Sequence, residues 1–370
     1  MLGAVTLRTP AATGSIDLYH RYAVGFWGTA QLPREYPLLS VLPFSLTLLP
    51  PGGDLYWKFG AWMAGMAVFG QAALQKVGST SSRAFAVYVL VGGAGTLLAR
   101  FDLVPALATL AALWCARRRR FAYGYALLAA AVLLKLYPAF LVPLLAIEHA
   151  KVAGRLRPPV LGVASTAAGV VAGFGVAWLV DGRHAFTPLW LAVQRPIQVE
   201  SLPATLLWLL SLAGVQVRAE HSFGSYNLVG GPGAALAAIF VLALGAGCAL
   251  VYVLHARGRL SVTRAFLVVL ALVVITGKVF SPQYLLWLLP FVAVEIGLDA
   301  AWLAVCALTA LVYPLAYWRE GLLEGKAEPV MYSALFLALI AVRNLVLIAT
   351  LSRTFRSAFG SNDHRRDREI

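Results

Sequence analysis

Asp17, Glu35, Arg100, Asp102, Lys135, Arg195, Glu200 and Lys278 stand out in a chain that otherwise avoids charge, with 12% charged residues among 370. Ionisable groups beside long apolar runs are costly to place, so they mark chemistry more often than polar residues on an open surface do. Asp17 lies in SIDLYHRYA and Glu35 in PREYP. An aspartate at the mouth of a membrane cavity can take a proton from a hydroxyl group if its surroundings set the pKa suitably. An ordinary solvated loop acid is the alternative. Arg100 with Asp102 (ARFDL), Lys135 before Tyr137 and Pro138 (KLYP), and Lys278 before Gln283 (KVFSPQY) each stand at the end of an apolar run. Three cations from distant positions on one face could bind a phosphate or diphosphate through charge-assisted hydrogen bonds. Any one of them alone could instead snorkel to lipid headgroups. Arg195 and Glu200 in QRPIQVES could hydrogen-bond sugar hydroxyls, as residues of any polar loop could.

The elements that must position these residues are membrane helices. The chain is 60% hydrophobic with a mean hydropathy of +0.78, and soluble domains run nearer ~25% charged. Gly233–Leu254 is 22 residues without a charge, enough for one bilayer crossing at ~20 residues. Similar runs recur, leaving no room for a sizeable soluble domain. Lipid does not satisfy open backbone groups, so the expected fold is all-α, a polytopic transmembrane helical bundle. The runs Leu38–Leu49, Phe121–Leu134, Tyr137–Ile147 and Leu202–Leu212 reach only ~16–21 Å against a ~30 Å core. They read as broken, re-entrant or interfacial helices on the outer face.

Basic clusters orient the chain. Arg117–Arg120, the Lys151/Arg155/Arg157 loop, the Arg257/Arg259/Arg264 loop and the tail from Arg353 read as cytoplasmic. The candidate residues then gather on the opposite side, facing outward. Residues 1–37 read as an N-terminal segment and first external loop whose preceding helix is missing. Residues 38–351 form the transmembrane domain, and residues 352–370 a basic, disordered cytoplasmic tail.

Several functions are excluded. The net charge of +14 is distributed as orientation signals between apolar runs, so no nucleic-acid partner is expected. Cys115, Cys248 and Cys306 lie within apolar segments, too dispersed for a disulfide framework or a zinc site. There is no GxxxxGK[ST], HExxH, CxxC, GxSxG or DxD motif. A membrane-borne donor therefore fits better than a nucleotide-linked one. No cofactor is indicated, and a divalent metal has no motif to support it.

ARFDLVPALATLAALWCARRRR, LLKLYPAFLVPLL, QRPIQVESLPATLL and KVFSPQYLLWLLP, preceded by SIDLYHRYA and EYP, occur in this order. Together they resemble glycosyltransferase family 87, within the GT-C superfamily of polytopic transferases. The resemblance runs from about Asp17 to the final helix. It implies inverting transfer of mannose, or alternatively arabinofuranose, from a polyprenyl-phosphate sugar to a lipid or glycan acceptor outside the cytoplasm. The family's general base falls on Asp17. Cations among Arg100, Lys135 and Lys278 would hold the departing phosphate, while Tyr137, Gln283 and Glu200 would position phosphate or sugar. Two departures stand out: the helix before the first loop is missing, and the family's EYPP reads EYPL (Glu35–Leu38). A transporter or flippase of a lipid-linked substrate is the rival class, since transporters also break helices around ionisable residues. Their ionisable residues sit nearer the midplane, often within internal repeats.

Overall fold

The computed structural model describes residues 10–317, 319–320 and 330–360, and these are mostly helical. Helix α1, Pro10–Thr29, carries Ser15, Ile16, Tyr19 and Ala23 as a buried stripe. That spacing is the core face of a helix. Asp17 therefore stands on a helix, not in the loop read from SIDLYHRYA. Polar residues between the stripe positions lower the mean hydropathy and hide the periodicity. Residues 1–9, in the segment read as lacking its preceding helix, lie outside the described residues. Tyr19 stacks on Phe44 with ring centroids 4.4 Å apart, docking α1 on the short helical segment α2, Leu38–Leu48. Helix α3, Leu55–Gln75, starts at Asp54, whose side chain accepts from the Tyr56 and Trp57 amides, a standard N-cap.

Next come α4 (Ser79–Tyr88), a π-turn over Val89–Gly93 and α5 (Ala94–Leu97). A Cβ on Gly92 would lie 2.6 Å from Cys306 Cα, so only glycine permits this approach of two backbones. Helices α6 (Leu103–Arg117) and α7 (Phe121–Leu134) pack as a hairpin. After a break come a 3-10 turn at Tyr137–Leu141 and α8 at Val142–Ala153. Helix α9, Arg157–Asp181, leads through a turn to α10, Thr187–Gln194, and later to α11, Leu202–Leu212. Helices α12 (Gly233–Ala256), α13 (Val262–Thr276), α14 (Leu285–Glu295), α15 (Ala300–Ala310) and α16 (Ala334–Gly360) complete the order. The short helices stand where the short apolar runs ended. Helices α13 and α14 are buried on nearly every side and form the centre of the core.

Among the described residues, three stretches are long and apolar enough to cross a membrane: Arg157–Gln194, Gly233–Ala256 and Ala334–Arg356. Two further expectations are corrected. The chain is not all-α: β1 (Ile197–Gln198), β2 (Arg218–Ser222) and β3 (Ser225–Val229) form an antiparallel sheet in the order β1-β3-β2. The hairpin turns at Phe223 and Gly224, both with positive φ. The disordered tail does not begin at Ser352, because α16 continues to Gly360; residues 361–370 lie outside the described residues. Leu347 and Leu351 pack into the core and Thr354 is buried, and these contacts keep the basic C-terminal turns helical.

Long-range side-chain contacts gather at two poles. At one, Asp102 meets Lys135 and Trp287, Gln198 meets Ser281, and Asp181 accepts from the Leu32 amide at 2.9 Å. At the other, Glu148 pairs with His255, Arg264 with Glu295, and Arg353 with Asp299. The candidate residues belong to the first pole and most basic clusters to the second.

Candidate functional site

The centre of the first pole is an ion pair. Helix α7 stops at Leu134, and Lys135 adopts an extended conformation (φ −160°, ψ 137°). Pro138, at the start of the following 3-10 turn, cannot donate to a continuing helix. The break places Lys135 Nζ 2.5 Å from Asp102 Oδ1. Asp102 stands just before α6 and is buried, and the same Oδ1 accepts from Trp287 Nε1 at 2.7 Å. Rings of Tyr36, Phe101, Tyr284 and Trp287 surround the ammonium with centroids 5.1–5.7 Å away. Cation–π attraction at that range stabilises a partly desolvated ammonium. Trp287 also stacks on Tyr137 at 4.0 Å and on Tyr284 at 3.9 Å, which fixes the indole that orients Asp102.

Around this pair stand the other charged candidates. Arg100 neighbours Tyr19 and Tyr36 and acts electrostatically on Lys135, Glu35 and Glu200. Arg195 acts on Lys135, Lys278 and Glu35. Glu35 is on the exposed rim; partial desolvation pushes its carboxyl up, against the pull of Arg195 and Arg100. Glu200 is buried between β1 and α11, and burial raises its carboxyl to about 7, opposed by Arg343, Tyr317, Arg100 and Gln198. Gln198 Nε2 donates to Glu200 Oε2 at 2.6 Å, while Glu200 Oε1 has no hydrogen-bond partner. Arg100, Lys135 and Arg195 thus face Asp102, Glu35 and Glu200.

Lys278 belongs to the rim rather than the centre. Its Nζ donates to the Val193 carbonyl at 2.5 Å, and its own carbonyl accepts from the Gln198 amide at 2.9 Å. Burial lowers its ammonium pKa, and neighbouring Arg195 lowers it further. In this structure KVFSPQY therefore ties the end of α13 to the segment that carries Arg195 and β1. Gln283, in the 3-10 turn Pro282–Tyr284, is half-buried. Asp17 stands apart. Its Oδ1 accepts from the Tyr56 hydroxyl at 3.0 Å, two residues along α1 from Tyr19, which neighbours Arg100.

Two residues that sequence reasoning passed over are central. Trp287 orients Asp102, as described above. Arg343 is fully buried in α16. It donates to the Glu200 carbonyl and, at 3.0 Å, to Asn344 Oδ1. The Phe280 ring lies 3.9 Å beneath its guanidinium, and its Nη1 has no partner. Asn344 donates to Thr205 Oγ1 at 2.9 Å. Arg343 is the one charge between Ala334 and Leu351, and a lone charge inside an apolar span was itself a legible signal. Trp287 offered none, being one aromatic residue in a run of apolar ones.

The arrangement offers fixed positive charge beside one rim carboxylate and two buried ones, stacked aromatic faces and amide groups. It suits an anion with an attached hydroxyl-rich group. Among the described residues no group of three or more His, Cys, Asp or Glu could hold a metal ion. Comparison with known proteins adds no relative: no family model, no curated protein and no solved structure matches the chain.

Proposed function

We propose that the chain is a multi-pass membrane glycosyltransferase with its charged pole facing outside the cytoplasm. It transfers mannose from a polyprenyl-phosphate donor to a lipid or glycan hydroxyl with inversion. The observation that carries this reading is the convergence of Arg100, Lys135 and Arg195 from distant sequence positions around Asp102, with Lys278 at the rim. Cations held there by the fold stabilise the charge that develops on a departing phosphate without reorganising at the moment of reaction. Gln198, Glu200 and the Tyr137–Trp287–Tyr284 stack are placed to hold a sugar.

The acceptor hydroxyl must lose a proton as it attacks the anomeric carbon, while the bond to the phosphate oxygen breaks. Asp17 is the base that the resemblance implies. Glu35 is the exposed carboxylate on which both Arg195 and Arg100 act. Membranes containing the chain, supplied in parallel with radiolabelled polyprenyl-phosphate mannose and polyprenyl-phosphate arabinose, test the reading. Label should pass from mannose donor to acceptor. Transfer from the arabinose donor alone would reassign the sugar. Transbilayer movement of donor without transfer would replace the enzyme by a transporter.

A further inference from the structure

At the opposite pole, a slot of about 280 Å³ opens between α12, α13 and α16. Gly247 and Leu250 of α12, Val268 and Leu272 of α13, and Phe355 of α16 form its apolar walls, and Arg356 stands at its mouth. The walls span about one turn of each helix, Gly247–Val251 on α12 and Val268–Leu272 on α13, ~6 Å of helix length, room for a segment of an acyl chain. Gly247 sets the width there. A Cβ on it would lie 3.0 Å from Leu272 Cδ1, so the absence of a side chain lets α12 approach Leu272.

The charges at the mouth differ in kind. Arg264 is neutralised by Glu295 at 2.7 Å, and Arg353 by Asp299 at 2.5 Å. Arg356, one turn beyond Arg353, is exposed and has no acidic partner among the described residues. Arg257 and Arg259, exposed at the end of α12, add positive charge to this pole. A soluble anion would use the guanidinium and leave the apolar slot unfilled. A hydrocarbon chain would use the slot alone. One ligand uses both.

We propose that this slot binds one anionic phospholipid, its phosphate on Arg356 and a segment of one acyl chain between α12, α13 and α16. A zwitterionic lipid is disfavoured, because its ammonium would face the same basic rim. The site lies at the far pole from the charged cluster and does not depend on the transferase reading.

The test is native mass spectrometry of the full chain released from micelles containing equimolar phosphatidylglycerol and phosphatidylcholine. Wild type should retain one phosphatidylglycerol in preference to phosphatidylcholine. Arg356→Gln should lower that preference about tenfold, the effect of removing one charged hydrogen bond. Leu250→Trp, at a side chain that is 52% exposed and so tolerant of enlargement, should fill the slot and lower retention of both lipids. Unchanged preference in Arg356→Gln, or equal retention of the two lipids by wild type, would overturn the proposal. So would displacement of phosphatidylglycerol by inorganic phosphate at equal concentration, which would make this a simple ion site.

Discussion

Lys135 and Asp102, 33 residues apart, form a 2.5 Å ion pair inside a box of aromatic rings. Removing one member of a buried pair strands the other, which typically costs ~3–5 kcal/mol. Lys135→Met should therefore destabilise the chain strongly, since Asp102 would keep only the Trp287 indole. Lys135→Met combined with Asp102→Leu should recover most of that stability while remaining inactive. Thermal unfolding and sugar transfer, measured on both variants in one detergent, check the two halves. A double variant as unstable as the single one would show that the pair does not act as a unit.

Glu200 gives a pH dependence. Its carboxyl is raised from 4.5 to about 7 in the folded chain by burial, so the folded state binds the proton more tightly than the unfolded one. Stability from this group is then full below about pH 4.5 and falls as pH rises toward 7, by up to ~3 kcal/mol. Glu200→Gln removes that slope. Relative to wild type, the variant should gain stability on going from pH 5 to pH 8. Parallel unfolding curves at the two pH values would show that Glu200 stays charged, held by Arg343.

Asp17 and Glu35 compete for the role of base. A carboxamide keeps the size and loses the basicity, and loss of a general base typically costs ~10²–10⁴-fold in rate. Asp17→Asn should show that loss with donor binding intact, while Glu35→Gln should mainly weaken binding by unbalancing Arg100 and Arg195. If Asp17→Asn turns over within a few-fold of wild type and Glu35→Gln does not, the base is Glu35.

The orientation is open to direct labelling. Single cysteines at Thr187 and Ser281, both at the charged pole, should react with an impermeant thiol reagent applied outside cells. A cysteine at Ser261, at the start of α13, should not. Labelling of Ser261 with protection of Ser281 would invert the faces, and an extracytoplasmic active site would fall with them.

What the sequence made legible follows its physics. Helix Phe121–Leu134 lies between Arg120 and Lys135, and Leu202–Leu212 runs from Ser201 to the Ala213-Gly214 break, so their bounds could be read directly. Asp102, Lys135 and Arg100 were recognisable because charge beside apolar runs is rare. Helix α1 escaped because its stripe, Ile16–Tyr19–Ala23, is interleaved with Asp17, His20 and Arg21, and average hydropathy hides a single buried face. The sheet escaped because Arg218–Ser222 is polar and exposed; its pairing with Ser225–Val229 is set by a two-residue turn rather than by apolar alternation. Partnerships were not legible at all. Lys278 read as a phosphate ligand from its setting alone, but its choice of the Val193 carbonyl depends on how α10 returns to the core.

That partnership decides what Lys278 can do. If the lysine leaves the Val193 carbonyl for the departing phosphate, Lys278→Met deletes a charged hydrogen bond worth ~1.5–3 kcal/mol. The expected loss in kcat/KM is then about 10–100-fold, with donor affinity and rate both reduced. Lys278→Arg should rescue only in part, because a planar fork delivers its charge differently from a compact ammonium. If the lysine serves only to pin the segment 193–195, methionine should loosen Arg195 and raise KM with little change in kcat, and arginine should restore nearly full function. Transfer rate against donor concentration for wild type and the two variants separates these outcomes. Unchanged kinetics in Lys278→Met would remove this residue from the site and leave Arg100, Lys135 and Arg195 as the cations that meet the phosphate.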